Sequence, residues 1–202
     1  MNTNVIKVKK LVLTGALSAL IIVLGITKLG LLPIGPAASI SLLQIPVIIA
    51  ACLAGLPSAL FTGAVFGILS LIQAAMSPSG VLDPLFVNPL CSVLPRVITG
   101  FVAWGLWVLL NKIKKLPKAV SAGITGFVAT AAHTMLVIGC LYLFAGTAVR
   151  EGMGGAGYFA VLAALSFNAV LEALASTIVC SAVFVGLFIS EKKKSKLSDE
   201  QD

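Results

Sequence analysis

Of the 202 residues, 59% are hydrophobic and only 10% are charged, and the mean hydropathy is +1.11. A water-soluble domain of this size carries about a quarter charged residues, so a soluble fold is excluded. The formal charge of +7 does not point to nucleic acid, because the lysines form three short clusters beside apolar runs, as in loops that face anionic lipid.

The first cluster, Lys7, Lys9 and Lys10, leads into an apolar run over 11–29. The run continues to Thr27 with no small-residue cleavage site, so it is read as a retained first span rather than a signal peptide. No charged residue occurs between Leu29 and Leu82, a stretch too long for one helix and broken twice. Gly30-Leu31-Leu32-Pro33-Ile34-Gly35-Pro36 cannot be regular helix, and Gly55-Leu56-Pro57-Ser58 is a tight turn with a helix start. These breaks predict a short second span over 44–53 and a third over 58–75. A Ser/Pro/Gly-rich loop over 76–86 carries Asp83 and precedes span four, 87–110. Span five is predicted over 119–144, a glycine-rich loop with Arg150 and Glu151 over 145–157, and span six over 158–189. A charged tail, expected to be disordered, completes the division into a membrane domain, 1–190, and a tail, 191–202.

The sequence thus predicts an all-α integral membrane protein, a bundle of six transmembrane helices. Six spans put both termini on one side with the loops after spans two and four. That side then holds eleven Lys/Arg, in the clusters at 7–10, 112–118 and 192–196, against Lys28 and Arg150 opposite. The positive-inside rule therefore puts the N and C termini in the cytoplasm of a multi-pass protein of the bacterial cytoplasmic membrane. Cys52, Cys91, Cys140 and Cys180 fall in four different apolar segments without CxxC pairing and read as packing residues rather than metal ligands.

An ionisable group in hydrocarbon costs about 3 kcal/mol or more, so it faces the bundle interior, either paired or serving a ligand. Three such groups lie deep in the spans: Arg96, His133 and Glu172. Asn88 stands at the outer end of span four, where it caps the helix or meets a ligand, and Asn168 shares a helix face with Glu172. At 1.5 Å rise per residue, Arg96 and Asn168 lie about 14–15 Å below the outer ends of their spans, which suggests a pocket open to the outside. Two readings stay open for Arg96 and Glu172, a structural ion pair or direct ligand contact, and a guanidinium suits a carboxylate ligand. Gly15-x-x-x-Ala19 and Gly63-x-x-x-Gly67 let helices approach closely, and Gly15 and Ala19 lie where a partner could dock. Trp104 and Trp107, just before the second lysine cluster, occupy the interfacial belt position. No P-loop, HExxH motif or paired-carboxylate site is present, so no enzyme is expected, no cofactor is implied, and any ATP dependence would come from a partner.

Several features together resemble the substrate-binding S components of energy-coupling factor (ECF) vitamin transporters. They are the lysine-bearing N-terminus, the small-xxx-small first span, the Leu31-Leu32-Pro33-Ile34-Gly35-Pro36 loop and Gln44-Ile45-Pro46-Val47. Gly55-Leu56-Pro57-Ser58, Gly63-Ala64-Val65-Phe66-Gly67 and Asp83-Pro84-Leu85-Phe86-Val87-Asn88-Pro89 complete the pattern. The resemblance covers all six spans. It implies a high-affinity vitamin-binding subunit of an ATP-driven importer, docked on a transmembrane scaffold with two ATPase subunits. It further implies that the loops 31–43 and 76–86 gate the pocket and that Gly15 and Ala19 contact the scaffold, although glycine stands where alanine is commoner. Few aromatics line the outer halves of the spans, which disfavours flat heteroaromatic vitamins. A buried arginine beside asparagines and a carboxylate suits a small flexible anion such as pantothenate, and the chain is similar to pantothenate-specific members; cobalamin, a pyrimidine or queuosine precursor, or another vitamin are the other readings. The alternative is a stand-alone secondary transporter or channel for a small polar solute, with His133 and Glu172 as a proton relay.

Overall fold

The computed structural model describes residues 3–33, 39–77, 83–152, 154–155 and 157–199. Parts of both expected gating loops, residues 34–38 and 78–82, lie outside the described residues, as do 200–202 of the tail. The elements are α1 (Thr3–Ile26), β1 (Leu31–Pro33), β2 (Ser39–Ser41), α2 (Gln44–Leu53), α3 (Leu56–Met76), a 3-10 turn (Asp83–Val87), α4 (Pro89–Leu110), α5 (Lys118–Gly152) and α6 (Tyr158–Asp199).

Among the described residues, five helices, all but α2, contain a stretch long and apolar enough to cross a membrane, and the protein is a multi-pass α-helical membrane bundle. Rows of large apolar side chains face outward, among them Val12, Val23, Phe61, Ile72, Phe101 and Phe188, as lipid-facing surfaces require. The exception is α2, whose ten residues span about 15 Å, half the hydrocarbon thickness. Its residues from Gln44 to Cys52 are all buried, and it touches each of the other five helices. It ends where expected: Gly55 has φ +96°, a conformation that suits glycine, and Pro57 sits in the first turn of α3.

Small residues let neighbouring helices approach closely. A Cβ on Gly63 would lie 2.7 Å from the Arg96 carbonyl oxygen, and one on Gly67 2.6 Å from Val93 Cα, so α3 and α4 pack backbone to backbone. Gly126 does the same against Ser176 at the α5–α6 contact. By contrast, Gly15 and Ala19 face outward on α1, and a Cβ on Gly15 would meet nothing within 4 Å.

Three expectations are corrected. The segment after span one holds a small antiparallel hairpin, with Leu31 opposite Ser41 and Pro33 opposite Ser39. Helix α5 does not end at Phe144: Ala145 breaks the helical geometry (φ −141°, ψ 29°), but the chain resumes helix to Gly152, so Arg150 and Glu151 lie on a helix and not in a loop. Helix α6 runs on to Asp199 instead of giving way to a disordered tail. After Gly186 the sequence holds no glycine or proline, and Glu and Lys are good helix formers, so nothing local stops it.

Candidate functional site

Arg96 is 6% exposed, on the face of α4 that packs against α3. Pro95 explains how the site forms. A proline inside a helix has no N–H to give the carbonyl four residues earlier, here Cys91. The adjacent Arg96 fills that gap, its Nη1 donating to the Cys91 oxygen at 2.9 Å. Nη2 reaches Ser70 Oγ on α3 at 3.3 Å. The guanidinium lies between two rings, 5.5 Å from the Phe66 centroid and 4.8 Å from that of Phe86, a paired cation–π contact. Its Nε is buried and has no partner among the described residues.

The expected alternative of an Arg96–Glu172 ion pair does not form, and Glu172 is spent elsewhere. Its Oε1 accepts from the Ser41 backbone N–H at 2.7 Å and its Oε2 from Gln44 Nε2 at 3.2 Å. One carboxylate on α6 thus ties down the last strand of the hairpin and the first residue of α2. Ser41 Oγ and Gln44 Oε1 are buried there without partners among the described residues. An unpaired buried cation, and buried polar atoms lacking partners, each cost free energy that a suitable ligand would recover.

His133 on α5 is buried, with its ring 5.8 Å from that of Phe66, so it meets the same ring as Arg96. Its Nδ1 lies 3.0 Å from Thr99 Oγ1, whose single proton goes to the Pro95 oxygen at 2.7 Å. The hydrogen-bond network therefore assigns the imidazole proton to Nδ1 and leaves Nε2 as an acceptor. Asn88 is exposed at the start of α4, where its side-chain oxygen caps the helix by accepting from Leu90 N at 3.0 Å. Asn168 is half-buried on α6, one turn before Glu172.

Arg96 and His133 are therefore brought together around Phe66, and Glu172 with the hairpin and α2. Asn88 stands apart at the rim. Sequence reasoning missed Ser41, Gln44, Phe66, Ser70, Phe86 and Thr99. Gln44 carried a usable signal, being a polar residue at the head of an otherwise apolar helix.

Residues 9–188 match the family described as ECF transporter, substrate-specific component. The chain belongs to that family. Two relatives carry related names. The pantothenate transporter PanT of Leuconostoc mesenteroides subsp. mesenteroides is 30% identical over 188 residues, covering 88% of this chain and 91% of that protein. The pantothenic acid transporter PanT of Lactococcus lactis subsp. cremoris is 23% identical over 160 residues, covering 73% of this chain and 76% of that one. As a substrate-specific component the chain is a transporter subunit.

Proposed function

We propose that this S component captures pantothenate from outside the cell, with Arg96 receiving the carboxylate. The observation that carries the reading is a buried guanidinium held between Phe66 and Phe86, with its Nε unpartnered and no carboxylate beside it among the described residues. Two relatives named for pantothenate support that vitamin. In this reading His133 Nε2 accepts from the ligand. Glu172 holds Ser41 and Gln44 in a polar wall for the ligand's hydroxyl and amide groups. Asn168 extends that wall, and Asn88 contacts ligand at the outer rim.

The bundle crosses the membrane six times with both termini in the cytoplasm, α2 and the hairpin together completing the second crossing. The lysine distribution supports this orientation. The segments 31–43 and 76–86 gate the outer opening. On α1, the outward-facing Gly15 and Ala19 form the flat surface on which the transmembrane scaffold docks, and two ATPase subunits drive transport. The test is uptake into proteoliposomes. Pantothenate should accumulate only when scaffold, ATPases and ATP are present, whereas accumulation by this chain alone under a pH gradient would establish a secondary transporter instead.

A further inference from the structure

A crevice of about 610 Å3 opens at the end of the bundle where α4 hands over to α5. Its walls are Leu53 from α2, Leu116 and Ala119, and Phe184, Leu187 and Phe188 from α6, with Lys118 the one charged group lining it among the described residues. We propose that this crevice binds one anionic phospholipid, an acyl chain lying between the apolar walls and the headgroup phosphate resting against the lysines.

Three independent features support that occupant. The first is charge: Lys112, Lys114 and Lys115 precede Lys118 within six residues, all four are exposed, and the segment 111–118 holds no acidic residue. Basic pockets between transmembrane helices at a membrane face are the recurring form of anionic headgroup sites. The second is depth. Trp104 and Trp107 stand on the last two turns of α4, where indoles mark headgroup level, and the Trp107 ring lies 4.8 Å from that of Phe184 in the crevice wall. The third is size, since the volume falls within the roughly 300–1,000 Å3 of small-molecule sites. A soluble anion would use the lysines but leave the walls unfilled; a zwitterionic lipid would fill the walls and offer a phosphate, but its own ammonium offsets that charge, so the lysines favour the anionic lipid.

The protein has two tryptophans, so Trp104→Phe leaves Trp107 as a single fluorescent reporter beside the crevice. The experiment compares quenching of Trp107 by brominated phosphatidylglycerol and brominated phosphatidylcholine at equal mole fraction in reconstituted vesicles. Phosphatidylglycerol should be favoured by about fivefold for each lysine that engages the headgroup. The preference should vanish in the triple variant Lys114→Gln, Lys115→Gln, Lys118→Gln. It should vanish as well in Ala119→Phe, which keeps every lysine but fills the crevice; Val185→Phe, on another wall of the crevice, makes the same test if Ala119→Phe does not fold. Equal quenching by the two lipids would overturn the proposal. So would a preference that survives filling of the crevice, because charge alone would then account for it. The readout needs no vitamin, so its failure leaves the substrate assignment standing.

Discussion

Replacing Arg96 by methionine separates a residue that serves the ligand from one that serves the fold. Methionine keeps a long apolar side chain in the slot between Phe66 and Phe86 and removes the charge. Without ligand, the variant loses the 2.9 Å bond to the Cys91 carbonyl and the longer one to Ser70. A hydrogen bond to a charged group contributes about 1.5–3 kcal/mol. The two ring contacts add roughly 1–2 kcal/mol each. Against them stands the burial of a cation with no carboxylate partner, a penalty on the order of several kcal/mol, together with an unpartnered Nε that costs about 1–3. The opposing sets nearly cancel, so the ligand-free melting temperature should shift by no more than about 2–4 °C per kcal/mol of a small residual. Binding has no such compensation. A ligand carboxylate left without its partner costs about 2–5 kcal/mol, a loss of roughly 30- to 5,000-fold in Kd. Calorimetric titration with pantothenate and thermal unfolding of the same preparation read both quantities. A folded variant with unchanged Kd refutes the anion clamp, and a large fall in melting temperature makes Arg96 structural.

Glu172→Ala removes the acceptors of Ser41 N–H and Gln44, so it should destabilise the hairpin by about 1–3 kcal/mol. Hydrogen exchange at the Ser41 amide should quicken, and unchanged protection there would show that the latch is not needed. Gly67→Ala forces a Cβ toward Val93 and should cost about 1–3 kcal/mol, measured as a lower melting temperature. Gly15→Leu meets open space, so it should leave stability and ligand affinity unchanged while blocking uptake by the assembled transporter. Normal uptake would remove α1 as the docking face.

The helices were legible where the chain carries strong punctuation. Gly55 and Pro57 mark the end of α2, because a glycine with positive φ followed by a proline in the first turn of α3 interrupts one helix and starts the next. The Phe144 boundary coincides with a real break at Ala145, but glycines alone did not reveal that helix resumes beyond it. The hairpin was invisible, since three-residue strands are too short for an alternating pattern to register. All three deep ionisable groups proved buried, as the cost of charge in lipid requires. Their partners were not legible: whether Glu172 meets Arg96 or the hairpin depends on how α6 is rotated against α2, which apolar periodicity around a fully buried helix does not encode. The link between Pro95 and the Arg96 hydrogen bond was readable in principle, from a proline directly before a buried arginine.

Native mass spectrometry of the chain expressed alone, without scaffold or ATPases, bears most directly on substrate capture by Arg96. One adduct of pantothenate mass should accompany the wild-type protein and be missing from Arg96→Met. A different co-purified compound, or no adduct even after pantothenate is added, would contradict the assignment.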